Sequence, residues 1–128
     1  MIDLPTEKIK ASRINPKKII LFGKPKIGKS TGISNLDNCL ILDLEGGTNY
    51  LDALKIDIKK ISEEQSIEPI KVLKEVIDKI KKANKEAGKF VYHFGAIDTI
   101  SILEEMVMPV SLSLYKKTTQ GRNFQGEN

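Results

Sequence analysis

Four apolar residues, Ile19-Ile20-Leu21-Phe22, run straight into Gly23-Lys24-Pro25-Lys26-Ile27-Gly28-Lys29-Ser30, and Thr31 to Leu36 follow. The octapeptide satisfies G-x-x-x-x-G-K-[ST] at every defined position, the spacing of a phosphate-binding P-loop. The flanks narrow the fold further. Residues 18–22 read as a buried parallel strand, and residues 29–36 read as a helix opening out of the loop. Strand, glycine turn and helix together aim consecutive backbone N–H groups at a polyphosphate. Gly23 and Gly28 permit tight bends with no Cβ in the way. The binding set for ATP is therefore expected to be Gly23, Lys24, Pro25, Lys26, Ile27, Gly28, Lys29, Ser30 and Thr31. Lys29 is expected to set its ammonium against the β- and γ-phosphates and so to act in catalysis as well. Ser30 is expected to offer a hydroxyl to Mg²⁺, with Thr31 as a second hydroxyl nearby.

The 128 residues bound the chain to one ordinary domain. The division expected is a polar arm over 1–17, carrying Pro5 and Pro16, and a P-loop domain over 18–128. No apolar run approaches the ~20 residues of a membrane span, and charges scattered through Met1 to Lys18 exclude a signal peptide. A cytoplasmic protein is expected. Cys39 is the one cysteine, so no internal disulfide forms; it opens an apolar run and reads as a core residue. His93, the one histidine, lacks metal-ligand company and reads as structural. Residues 1–30 hold eight basic and two acidic side chains, whereas residues 31–128 hold thirteen and fifteen. The positive field thus surrounds the segment where an anion is expected. Nineteen of the 21 basic residues are lysine, a bias that base composition alone can produce, so overall basicity says little about nucleic acid.

Further along, residues 38–44 read as a second buried strand and residues 49–54 as a short helix. Ile56 to Ile61 alternates enough for a short edge strand. Ile67, Ile70, Leu73, Val76, Ile77, Ile80, Ala83 and Ala87 step by three or four and define an amphipathic helix. Ser66 is its expected N-cap and Gly88 its stop. Residues 89–97 read as a third strand ending in Asp98, followed by a helix from Ser101 to Tyr115 interrupted at Pro109. The tail from Lys116 is polar and contains glycine. Strands alternating with helices imply an α/β fold with a mostly parallel sheet. Ligands of such sheets sit beyond the C-terminal strand ends. The loop 23–30, Glu45 and Asp98 each lie at such an end, so three separated segments are expected to meet in one crevice.

Phe94-Gly95-Ala96-Ile97-Asp98 has the form of a Walker B segment, in which the acid holds Mg²⁺ through water opposite Ser30. Thr99 and Ser101 offer themselves as helix caps. Glu45 closes the second strand and precedes two glycines; an acid there can polarise the attacking water and is the expected catalytic residue, with a solvated loop carboxylate as the alternative. Asp43 sits one step back and is the less favoured base. Glu104 and Glu105 read as surface.

Cys39-Leu40-Ile41-Leu42-Asp43-Leu44-Glu45, with Leu51-Asp52-Ala53-Leu54 and Ile56-Asp57-Ile58, resembles the RecA-like ATPase core, in which a Glu at this place activates water. More narrowly, the chain is similar to the phage-type AAA nucleotide-binding proteins, small ATPases of phages and prophages associated with single-strand DNA recombination and annealing. The matching stretches are Ile20 to Thr31, Leu42 to Gly47, Ala96 to Ser101, Leu103 to Met106, and Leu114 to Gly126. The resemblance runs from about residue 17 to the end and implies ATP and Mg²⁺ as ligands, single-stranded DNA as a partner, and a homo-oligomer. It assigns no role to Lys116, Lys117 or Arg122. RecA-like sheets also place another strand between the P-loop strand and the Walker B strand. That strand comes after Walker B in sequence, and nothing after Asp98 reads as one. An incomplete RecA-like core is therefore expected, or else direct pairing of the first and third strands.

The leading expectation is an ATPase linked to phage DNA recombination or annealing. A non-catalytic nucleotide-binding module and a small P-loop kinase are the alternatives. A kinase would need lid arginines after Asp98, and only Arg122 is there. A GTPase is disfavoured by the lack of a D-x-x-G after the third strand and of an N-K-x-D segment.

Overall fold

The structure is a computed structural model; it describes Leu4, Thr6, Glu7 and residues 17–125. The expected arm lies almost wholly outside the described residues. Elements follow in the order α1 (Lys29–Ser34), β1 (Cys39–Asp43), β2 (Leu54–Asp57), α2 (Ile58–Gln65), α3 (Pro69–Ala87), β3 (Phe94–Asp98) and α4 (Ile100–Lys116). The three strands form one parallel sheet in the order β2-β1-β3. The fold is α/β, a parallel sheet flanked by helices, as a P-loop NTPase requires.

All five residues of β1 are buried. Strand alternation sends Leu40 and Leu42 to one face, where they form the core with Leu44, Ile58, Val72 and Leu73. Cys39, Ile41 and Asp43 face the other way and are equally enclosed. A strand buried on both faces reads as a continuous apolar run, which is why residues 39–42 are Cys-Leu-Ile-Leu. Burial pushes the Cys39 thiol up, in keeping with a core role. The outer face of α3 carries exposed ion pairs such as Lys79–Glu75 and Lys71–Glu68, a solvated surface worth little to stability.

Residues 18–22 depart from the expected strand. They join no sheet, and Ile19, Ile20, Leu21 and Phe22 are 72, 81, 57 and 99 % exposed. β3 pairs with β1 along one edge, and among the described residues no strand lies along its other edge. Direct pairing of the first and third apolar runs is thus not what the structure has. An isolated run of apolar residues cannot become a strand without a neighbour to take its N–H and C=O groups.

Three further expectations need correction. The edge strand expected over 56–61 is present but lies earlier: β2 is at the sheet edge and ends at Asp57, whose carboxylate accepts from the Lys60 amide and caps α2. Ile58 is fully buried and Ser62 lies one turn on, so helical spacing wins over alternation. Residues 49–54 form no helix: residues 48–53 are an open loop, whose carbonyls at Thr48 and Leu51 take the Lys55 ammonium, and Leu54 already opens β2. The third strand is shorter than 89–97, because residues 89–93 form an irregular bend. There Asn84 accepts from the Val91 amide and Asn38 donates to the Val91 carbonyl.

Ser66 does not cap α3; it closes α2 in the left-handed region at φ 53°. Glu68 takes the N-cap place, and Pro69 opens α3 at the position where its fixed φ fits. Gly88 stops α3 at φ 64°. α4 runs through Pro109 without a break, and Thr99 at its N-cap makes no capping bond. The tail then folds back on α4. Thr118 donates to the Tyr115 carbonyl at 2.7 Å and accepts from the Gly121 amide at 3.1 Å. Tyr115 and Phe124 meet edge to face at 5.5 Å. Gly121 lies so close that a Cβ there would be 1.9 Å from the Tyr115 carbonyl oxygen.

Candidate functional site

The P-loop bends through two left-handed residues, Lys26 at φ 63° and Gly28 at φ 94°. Only glycine takes φ 94° without strain, and Gly28 stands directly before α1. A Cβ at Gly23 would press the Ile27 side chain at 3.2 Å. Lys24, Pro25, Lys26 and Ile27 form the exposed crown of the loop. The Lys29 ammonium folds back across it and donates to the Gly23 carbonyl at 2.8 Å and the Lys24 carbonyl at 2.9 Å. Thr31 is exposed on the first turn of α1, and its carbonyl accepts from the Ser34 hydroxyl.

Ser30 and Asp98 come together. The Ser30 hydroxyl donates to Asp98 Oδ2 at 2.6 Å. Asp98 ends β3 in register with Asp43 of β1, and the Leu44 amide donates to the Asp98 carbonyl at 2.7 Å. Glu45 follows immediately and is exposed. Ser30 and Asp98 therefore meet at the C-terminal end of β3, and Glu45 leaves the C-terminal end of β1 one residue after the Leu44–Asp98 contact. The Asp98–Thr99 peptide is cis.

The residues present fit Mg²⁺. A hydroxyl oxygen and a carboxylate oxygen are hard donors, and a donating Ser30 hydroxyl keeps lone pairs for a cation. Among the described residues no group of three or more acidic, histidine or cysteine side chains converges. Few protein ligands, with phosphate and water completing the shell, is how Mg²⁺ is bound beside nucleotides.

Asp43 has a part that sequence reasoning missed. It is fully buried. Its Oδ1 accepts from the Glu45 amide at 3.0 Å and the Gly46 amide at 2.8 Å. Its Oδ2 accepts from the Thr48 amide at 3.0 Å and the Thr48 hydroxyl at 2.5 Å. Burial by itself would raise the Asp43 carboxyl, but the bonds from Thr48, Gly46 and Glu45 outweigh it and hold the group below the ordinary aspartate range. The signal was present in the sequence: Asp before a Gly-Gly-Thr loop is the composition of a side chain that bonds loop amides.

His93 lies 3.2 Å from the Asp37 carboxylate on the exposed surface, away from the site, in keeping with a structural role. Glu104 and Glu105 are exposed on α4. Lys117 and Arg122 are exposed in the tail, and neither reaches the site in any hydrogen bond or ion pair.

Comparison with protein families matches residues 15–128 to the AAA domain. That is most of the chain, and the protein belongs to this family of P-loop NTPases. Nucleotide binding is the activity the family implies, with ATP and Mg²⁺ its usual ligands. No curated protein and no solved structure matches the chain. Among the described residues no helix is long and apolar enough to cross a membrane.

Proposed function

We propose that this chain is a Mg²⁺-dependent ATPase of RecA-like type, acting in phage DNA recombination or single-strand annealing in the host cytoplasm. The observation that carries the ATPase reading is the Ser30–Asp98 hydrogen bond at 2.6 Å, with Glu45 one residue beyond the Leu44–Asp98 contact. The P-loop amides and the Lys29 ammonium bind the β- and γ-phosphates. Ser30 and Asp98 hold the metal ion, which when bound supplies charge neutralisation to the phosphate oxygens. Glu45 orients a water and accepts its proton as the water oxygen bonds to the γ-phosphorus and the bond to the leaving ADP oxygen breaks. The link to recombination rests on the resemblance alone. Candidate DNA contacts are Lys8 and Lys10, outside the described residues, the exposed Lys17 and Lys18, and Lys116 and Lys117.

A non-catalytic nucleotide-binding module is the second reading. It is favoured by the exposed, unpaired segment 18–22, which leaves the P-loop without a strand to brace it.

ATP turnover with and without single-stranded DNA tests both, alongside anisotropy of a labelled oligonucleotide at low and high salt. The first reading expects Mg²⁺-dependent turnover raised by DNA, with DNA binding weakened by salt. Nucleotide binding without turnover would establish the second. Turnover with no DNA binding by this chain or by a version extended past Asn128 would sink the recombination role alone.

A further inference from the structure

We propose that Asp43 and Thr48 are positioning residues that fix the direction of Glu45, an inference that rests on the reading of Glu45 as the base. A carboxylate offers about four lone-pair sites. Asp43 fills four: the amides of Glu45, Gly46 and Thr48, and the Thr48 hydroxyl. It has no acceptor site left for a water, so it is excluded as the base although it stands two residues from Glu45. What it does instead is organise the loop. The Glu45 amide is itself one of its donors, so the backbone carrying the Glu45 side chain is fixed at its own nitrogen.

Thr48 is the second anchor. Its amide and hydroxyl both go to Asp43, and its carbonyl takes the Lys55 ammonium from β2. Lys55 also holds the Leu51 carbonyl at 2.9 Å and stands opposite Ile41 in the sheet. The loop 45–51 is thus tied to β1 through Asp43 and to β2 through Lys55. Gly46 turns it at φ 81°, close against the Lys59 and Asp57 side chains. Glu45 opens a short loop held on both sides, one residue after Leu44, whose amide bonds the Asp98 carbonyl. A general base must lie within hydrogen-bond reach of the proton it takes, and small displacements of a reacting group are costly. Removing the Thr48 hydroxyl leaves the buried Asp43 carboxylate its three amide donors.

The test uses the full chain and four variants: Thr48→Val, Thr48→Ser, Glu45→Gln, and Glu45→Gln with Thr48→Val. Thr48→Val is expected to lower ATP turnover about tenfold while affinity for a non-hydrolysable ATP analogue stays within about twofold. Thr48→Ser restores the hydroxyl and is expected to return turnover to within about twofold of wild type. In the Glu45→Gln background Thr48→Val is expected to change turnover no further, because it acts through Glu45. Amide hydrogen exchange gives a readout apart from activity: Glu45, Gly46 and Thr48, whose amides bond Asp43, are expected to be protected in the wild type and to exchange at least about tenfold faster in Thr48→Val. Wild-type turnover and exchange in Thr48→Val, or an equal loss in the Glu45→Gln background, overturns the inference while Glu45 keeps its role. Wild-type turnover in Glu45→Gln removes Glu45 as base, and the inference falls with it.

Discussion

Ser30 and Asp98, 68 residues apart in sequence, share a 2.6 Å hydrogen bond between the first turn of α1 and the end of β3. That bond joins the P-loop to the sheet. Ser30→Ala removes the donor and the metal-facing hydroxyl together. Affinity for ATP with Mg²⁺ is expected to fall by roughly 1.5–3 kcal/mol, the range for a hydrogen bond to a charged group. Affinity in the presence of EDTA should change much less. Calorimetric titration under both conditions decides it, and an equal loss in both would remove Ser30 from the metal site.

Lys29→Ala is expected to weaken nucleotide binding by a similar margin, roughly 1.5–3 kcal/mol for each charge-assisted hydrogen bond to phosphate that it removes. The Lys29 ammonium bonds the Gly23 and Lys24 carbonyls, so phosphate must draw it away from its own loop. A fluorescent-nucleotide titration with unchanged affinity would refute the P-loop assignment.

Phe22 and Ile41 are apolar residues of opposite fate. Ile41 is 1 % exposed and Phe22 99 %. Ile41→Ala is expected to cost about 2–5 kcal/mol through the cavity it leaves. Phe22→Ser is expected to fall within about 0.5 kcal/mol of wild type, as surface changes do. Urea denaturation of both variants checks the contrast. A large loss at Phe22 would mean that residues 18–22 are buried in solution, as an unpaired strand seeking a neighbour would be.

Acid should weaken the fold through Asp43. Its carboxyl titrates lower in the folded chain than in the unfolded one, since hydrogen bonds from Thr48, Gly46 and Glu45 outweigh the burial that would raise it. The stabilisation is therefore complete above the unfolded value of about 3.9 and is lost as pH falls through the lower folded value. Urea midpoints from pH 6 to pH 2 should decline below about pH 4 in the wild type. Asp43→Asn should be less stable at pH 6 and show a shallower decline. Equal slopes in the two proteins would assign the acid sensitivity to other carboxylates.

The parts of the site legible in sequence were those whose chemistry is local. The Gly23–Ser30 spacing and the apolar run 39–42 announce a loop and a buried strand wherever they stand. Asp98 was legible because it ends an apolar run, and the structure pairs it with Ser30. What failed was decided by neighbours. Residues 18–22 have strand composition and no adjacent strand, and composition cannot report a missing partner. Residues 56–61 straddle the end of β2 and the start of α2, and residues 58–61 fit alternation and helical spacing about equally well. Burial of Ile58 and the Asp57 cap decided for the helix. Asp43 was underrated because its value lies in four bonds to a loop whose path no pattern reveals.

The tail has no room for a side chain at Gly121. A single methyl group there would strike the Tyr115 carbonyl, since its carbon would sit at 1.9 Å. Relieving that requires the backbone to shift where Thr118 bonds both Tyr115 and Gly121 and where the Tyr115 and Phe124 rings meet. The two rings are in contact while each remains 43 % exposed, so their engagement leaves part of each face open to solvent. A Gly121→Ala chain, forced to shift the tail from the Tyr115 carbonyl, would therefore be expected to change how much of these two aromatic faces is open to a ligand.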